Sequence, residues 1–132
     1  MKIRNITIED YPKLIEFWKT NYLLTPLDEF DRVKLFLEKN FQLSFLAEEK
    51  GQILGTVLSS FDGRRGSLQK LVVSKEHRGK GIGKELVMDA VKKLQEAGAI
   101  DIRFNTAEEL VPFYEKCGFI KDSRPSMILK KF

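Results

Sequence analysis

Three glycines at alternate positions, Gly79, Gly81 and Gly83, stand inside a basic stretch that runs Val73-Ser74-Lys75-Glu76-His77-Arg78-Gly79-Lys80-Gly81-Ile82-Gly83-Lys84. Glycine frees the backbone to approach a ligand closely. Ile82, Leu86, Val87, Ala90, Val91 and Leu94 recur at helical spacing, so a helix is expected to open in this stretch. The first amides of a helix lack partners within it and carry its positive dipole end, which suits an anion. Lys75, Arg78, Lys80 and Lys84 against Glu76 give the stretch a net +3, most of the chain's overall +4. Backbone donors and cations at one helix start point to a phosphate site. The plainer reading, glycines that only turn the chain and lysines that only meet solvent, is outweighed because all three signals coincide after an expected strand.

Two common phosphate loops do not fit. A Gly-x-x-x-x-Gly-Lys-Ser/Thr loop fails because Gly83-Lys84 is followed by Glu85 and Arg78 stands where the first glycine belongs. A Gly-x-Gly-x-x-Gly dinucleotide fingerprint fails because, counted from Gly79 and Gly81, Lys84 holds the third place. Strands that read as antiparallel before the loop also argue against the dinucleotide fold. A single cysteine, Cys117, and a single histidine, His77, rule out an internal disulfide, a zinc finger and a His-based triad. Cys117, at a helix end before Gly118, reads as small-residue packing rather than as a thiol nucleophile.

The elements that must hold this loop follow from periodicity and punctuation. In 132 residues, 42% hydrophobic and 32% charged, there is enough apolar material for one domain with a core, residues 1–132. Lys2 to Ile8 alternates as a short strand, and Glu9 to Thr20 carries Leu14, Ile15, Phe17 and Trp18 at helical spacing. Thr25-Pro26-Leu27-Asp28 reads as the capped start of a second helix whose apolar face is Leu27, Phe30, Val33, Leu35, Phe36 and Leu37. Leu43 to Ala47 and Ile53 to Leu58 flank a turn at Gly51, and Asp62 to Gly66 turns into Ser67 to Val73, giving three antiparallel strands. A long helix from Ile82 to Ala97 ends at Gly98, and Ala99 to Phe104 is a further strand. Thr106-Ala107-Glu108-Glu109 reads as a capping box for a helix through Lys116, ended by Gly118, and Ser126 to Phe132 as a last strand. No stretch approaches the length of a membrane helix and the amino terminus has no secretory pattern, so no membrane and a cytoplasmic location are expected. Scattered Lys and Arg without a nucleic-acid motif make nucleic acid an unexpected partner.

Arg78-x-x-Gly81-x-Gly83, between a strand ending Leu71-Val72-Val73 and a long helix, resembles the Arg/Gln-x-x-Gly-x-Gly/Ala pattern of the GNAT acetyltransferases. Phe113-Tyr114-Glu115-Lys116-Cys117-Gly118-Phe119 resembles that family's second signature, Phe-Tyr-x-x-x-Gly-Phe, and the element order matches over nearly the whole chain. The stretch Phe61 to Gly66 is also similar to a branch of small prokaryotic members. The resemblance implies an α+β fold: a mixed, mainly antiparallel sheet flanked by helices, with a splayed parallel strand pair that holds acetyl-CoA. It implies transfer of an acetyl group to an amine, a small molecule or a peptide, by direct attack in a ternary complex without a metal. The backbone of Arg78, Gly79, Lys80, Gly81, Ile82, Gly83 and Lys84 would hold the pyrophosphate, and Leu71, Val72 and Val73 would pair with the pantetheine arm. Tyr114 matches the tyrosine that protonates the departing thiolate. Tyr22 to Thr25 would border the acceptor site, and homodimers are common in the family.

The match has departures. Ala107 stands where many members carry a cofactor-contacting Asn, with Asn105 two residues earlier, and Gln69 and Lys70 stand where some members carry a general base. Glu48, Glu49 and Asp62 lie at turns and read as solvated, so no base is named. A non-catalytic module that keeps the fold, as an acyl-CoA sensor or a basic binding surface, is the alternative.

Overall fold

A computed structural model describes residues 1–130. Five strands form one sheet in the order β1 (Lys2–Asn5), β2 (Phe45–Glu49), β3 (Gln52–Phe61), β4 (Arg65–Val73) and β5 (Asp101–Ile102). Neighbours are antiparallel except β4 and β5, which run parallel. The β2–β3 turn is tight because Lys50 and Gly51 both take positive φ, 52° and 78°. The parallel pair needs a crossover, and α3 (Ile82–Ala97) supplies it, closing at Gly98 with φ 111°.

Helices cover both faces. Leu14, Phe17 and Trp18 of α1 (Tyr11–Asn21) and Val33 of α2 (Phe30–Lys39) pack with Ile6, Leu46, Leu58 and Val72 on one face. On the other, Ile82, Leu86, Val87, Ala90 and Leu94 of α3 and Tyr114 of α4 (Val111–Lys116) pack with Ala47, Val57 and Leu68. The strand residues that serve the two faces are thus set by the side of the pleat on which each side chain emerges. Gly66 is a close-packing position: a methyl there would lie 2.8 Å from the Leu94 side chain, so the absence of Cβ lets α3 seat on β4.

Several expected elements take a different form. Thr25 does cap a turn, accepting from the Leu27 N–H at 3.2 Å while its own N–H donates to Asp28 at 2.8 Å. That turn, Pro26–Asp28, stops at Glu29, whose ψ of 151° is extended, and α2 starts anew at Phe30. Leu27, Phe30 and Leu35 of the expected buried face are exposed. Gly66 lies inside β4 and not in the preceding turn. The strand expected over Ala99 to Phe104 forms a ladder only at Asp101–Ile102. The expected capping box at Thr106 does not form: Ala107 caps a single turn, Glu108–Leu110, without a side-chain bond, and α4 follows. Ser126 to Lys130 form no strand, with Met127, Ile128 and Leu129 exposed; Lys131 and Phe132 lie outside the described residues.

Candidate active site

The glycine bend joins the end of β4 to the start of α3. Gly79 and Gly81 take positive φ, 79° and 87°, and Gly81 is the N-cap of α3. A Cβ at either would meet nothing within 4 Å, so what fixes glycine there is backbone conformation, with open space above the bend. The first amide of the segment with a backbone acceptor is Glu85 N–H, bonded to the Gly81 carbonyl at 3.1 Å. Among the described residues no loop acceptor takes the N–H groups of Gly79 to Lys84. Six consecutive donors at a helix start are therefore unspent, which is what an anion needs. The Arg78 guanidinium turns back to the fold, donating to the carbonyls of Val73 (3.1 Å) and Asn21 (3.2 Å) and leaving its backbone at the bend. The Asn21 side chain accepts from Lys75 N–H at 3.0 Å, so the end of α1 braces the loop.

Gly83 serves a different purpose. It is buried, and a methyl there would touch Phe113 and Val73 at 3.4 Å. The two sequence signatures, 30 residues apart, are thus in contact through Gly83 and Phe113.

Between them the sheet opens. β5 pairs with β4 only at Arg65–Asp101 and Gly66–Ile102, and Arg103 N–H adds one bond to the Gly66 carbonyl at 3.0 Å. Beyond that point Leu68 to Val73 present an edge without a ladder partner toward β5. An edge of unpaired N–H and C=O groups accepts any extended chain of amides as another strand.

A bulge tunes this edge. Thr56 faces Val72 and Leu58 faces Gln69, so Lys70 and Leu71 together oppose the single residue Val57. Lys70 is in the left-handed region at φ 54°, a conformation that costs a non-glycine residue about 1 kcal/mol or more. The extra residue reverses the pleat: Leu68 faces α3, whereas Val72, four positions on, faces α1. Polar side chains hold it. The Thr56 hydroxyl accepts from buried Trp18 Nε1–H at 2.9 Å and donates to the Lys70 carbonyl at 3.0 Å. Lys70 Nζ donates to Asp28 Oδ2 at 2.8 Å and the Leu23 carbonyl at 3.1 Å, its side chain 11% exposed and that of Asp28 7%. The ammonium also lies 5.1 Å from the Trp18 ring centroid and 5.4 Å from that of Tyr22. Sequence reasoning did not find this lock, because a lysine at a bulge carries no glycine-like signal.

Tyr114 sits on the α3 face of the opening. Its ring packs edge-on against Phe104 (4.6 Å), Phe113 (5.0 Å) and Phe119 (5.9 Å). Only 8% of the residue is exposed, and among the described residues its hydroxyl has no hydrogen-bond partner. Burial, with a smaller contribution from neighbouring Cys117, pushes its pKa up to about 12. Burial also raises the Cys117 thiol, against a weaker opposing pull from Lys84. Such a thiol is a poor nucleophile at neutral pH.

The other candidates are engaged elsewhere. Asn105 donates to the Ser126 hydroxyl at 2.9 Å on the exposed side of the chain. Glu48 pairs with Arg4 at 3.0 Å, Glu49 with the terminal ammonium at 3.3 Å, and Asp62 accepts from the N–H groups of Arg64 and Arg65. His77 faces the Ser74 hydroxyl at 3.2 Å.

Comparison with known proteins places the fold. The acetyltransferase (GNAT) family model matches residues 2–119. The chain belongs to the GNAT acetyltransferase family. It is similar to glucosamine-6-phosphate N-acetyltransferase from Arabidopsis thaliana, with 25% identity, a TM-score of 0.72, and 99% of this chain and 97% of that chain covered. The fold is shared with a PaiA N-acetyltransferase from Thermoplasma acidophilum in complex with coenzyme A (18% identity, TM-score 0.77, 94% and 92% covered). It is shared equally with an aminoglycoside 6'-N-acetyltransferase from Acinetobacter haemolyticus (16% identity, TM-score 0.78, 100% and 99% covered). No helix among the described residues is long and apolar enough to cross a membrane.

Proposed function

We propose that this chain, as one acetyltransferase domain over residues 1–132, moves the acetyl group of acetyl-CoA to a primary amine by direct attack in a ternary complex. The observation that carries the reading is the juxtaposition of six unspent amides at the α3 start with the unpaired edge of β4. A pyrophosphate needs the first and a pantetheine arm the second. The bend fits the former because nothing fills the space over Gly79 and Gly81. Bound acetyl-CoA supplies the activated acyl group.

The backbone amides of Arg78 to Lys84 bind the pyrophosphate, assisted by Lys80 and Lys84. Leu71, Val72 and Val73 pair with the pantetheine amides and so aim the arm along β4 into the gap before β5. This pre-pays the orientation that a bimolecular acyl transfer otherwise lacks. Tyr114 offers its O–H to the sulfur. A phenol near 12 keeps its proton throughout the neutral range, whereas a thiol of ordinary acidity titrates near 8.5. Tyr114 is the weaker acid of the two, so its largest contribution is as a hydrogen-bond donor while negative charge builds on sulfur. The acceptor ammonium must lose a proton before it attacks, and Glu48, Glu49 and Asp62 are each engaged with other partners, so no residue is assigned as the base.

Calorimetric titration with acetyl-CoA, followed by a thiol-release assay on a panel of primary amines, tests the reading. Saturable binding and amine-dependent release of CoA are expected. Binding without turnover on any amine would favour the sensor alternative, and absence of binding would remove both.

A further inference from the structure

A cavity of about 570 Å³ lies on the sheet face opposite α3, lined in part by Lys39, Ser60, Asp62, Arg65, Ser67 and Arg103. Its volume is in the range of small-molecule sites. The pleat explains its position. Gly66 faces Leu94 of α3, so the next side chain, Ser67, emerges on the α2 face, and Lys39 closes α2 above it. Ile102 packs on the α3 side, so Arg103 likewise emerges on the α2 face, at the point where β4 and β5 part.

The lining is richer in cations than in anions. Lys39 has no ion-pair partner among the described residues. Arg65 and Arg103 share Asp101 at 3.2 and 3.3 Å, and Arg103 also reaches Asp122, yet the two arginine side chains stay 53% and 41% exposed. Each guanidinium has five donors, so those contacts leave several free. Asp62, the one carboxylate of the lining, spends an oxygen on the amides of its own turn. The glycine bend is at the other end of β4, about 20 Å along the strand from Ser67. The phosphates of acetyl-CoA therefore do not account for these cations.

We propose that this cavity binds an anionic group, a carboxylate or a phosphate, carried by the acceptor at a distance from the amine that is acetylated. The inference rests on the acetyl-transfer reading. The strand gap gives the spacing. The cavity floor is Ser67, and the edge assigned to the pantetheine arm begins at Leu71. Four residues of bulged strand put the two ends of the acceptor on the order of 10 Å apart.

A ladder of ω-amino acids serves as a ruler: 4-aminobutanoate, 6-aminohexanoate and 8-aminooctanoate, each against the alkylamine of equal length, with 6-aminohexyl phosphate as the phosphate arm. Thiol release from acetyl-CoA gives kcat/KM for each. The anionic probe is expected to exceed its neutral partner by about tenfold at 8-aminooctanoate, the worth of one charge-assisted hydrogen bond, and by less at 4-aminobutanoate. Relative rates on 6-aminohexanoate and 6-aminohexyl phosphate then tell carboxylate from phosphate. Lys39→Ala and Arg103→Gln should each shrink the anionic-to-neutral ratio through KM. A ratio near one at every length, or one the variants leave untouched, overturns the proposal. So does calorimetric binding of acetyl-CoA with no turnover on any probe, which leaves the cofactor assignment standing. Absence of acetyl-CoA binding overturns the transfer reading itself.

Discussion

The Tyr114 hydroxyl makes no hydrogen bond within the described fold, although its ring is among the best-packed on the α3 face. Removing the oxygen should therefore cost the fold little and the reaction much. Tyr114→Phe is expected to lower kcat by ~10²-fold, the usual weight of one such donor, with acetyl-CoA affinity nearly unchanged. Steady-state kinetics and calorimetry on one preparation check the split; an undiminished kcat would remove Tyr114 from the reaction. The raised pKa also has a stability signature. An unfolded tyrosine titrates near 10 and this one near 12, so between those values the unfolded chain sheds a proton that the folded chain keeps. Stability from this group is complete below pH 10 and falls as pH rises toward 12. Urea unfolding at pH 8 and pH 11 should show a smaller loss for Tyr114→Phe than for the parent chain. Cys117→Ala, three residues on, should retain activity, because burial holds the thiol protonated; total loss in the thiol-release assay would revive a covalent route. Tyr114 was legible in the sequence through its flanking Phe113, Gly118 and Phe119. Its third aromatic neighbour, Phe104, lies two residues past the end of β5, and no local pattern announces a contact across the fold.

β4 shows where periodicity stops being informative. Ser67 to Val73 reads as a strand, and it is one, but a strict period of two would put Leu68 and Val72 on the same face. The bulge at Lys70 puts them on opposite faces. Glycine or asparagine at that place would have signalled it; a lysine in the left-handed region is stabilised by tertiary partners that sequence spacing does not reveal. Thr56 is the joint of that lock, bonded both to Trp18 and to the Lys70 carbonyl. Thr56→Val keeps the shape and deletes both bonds, leaving a buried indole N–H unpaired at a cost of about 1–3 kcal/mol. The consequence that matters for function is a looser cofactor edge. KM for acetyl-CoA should rise several-fold more than KM for the amine, measured at a temperature where the variant is still fully folded. Equal changes in both would make Thr56 a stability residue alone. The second helix illustrates the same limit from the other side. Its cap at Thr25 was readable, but the extended Glu29 that interrupts it was not, since Asp28 is held by Lys70 from another strand.

The assembled molecule places two independently packed layers on either side of a sheet that comes apart at one end. α1 and α2 hold one face, α3 and α4 the other, and the gap between β4 and β5 connects them. Helix N-terminus, strand edge and Tyr114 all meet that gap from the α3 side, which makes the cofactor assignment a statement about the whole arrangement and not about one loop. Much of that arrangement could be read in advance, because the glycine bend, the long helix and the Phe-Tyr signature each carry local chemistry. The carboxyl-terminal strand could not: Met127, Ile128 and Leu129 form an apolar run, yet whether such a run pairs is decided by what lies alongside it, and among the described residues Ser126 to Lys130 join no ladder. If acetyl-CoA engages the bend only in the folded chain, it must stabilise the whole molecule by mass action. At about 100 times Kd the linkage amounts to ~2.7 kcal/mol, a rise in Tm on the order of 10 °C for a chain of this size. Gly81→Val forces a β-branched residue into φ 87°, where no neighbour crowds it but the backbone itself objects. The bend must then move, while the core contacts of α3 from Ile82 onward have no reason to. Thermal scans should therefore show a near-parental Tm for Gly81→Val without ligand and the loss of most of the acetyl-CoA-dependent rise. A variant that kept the full rise would mean that the diphosphate is held somewhere other than this bend.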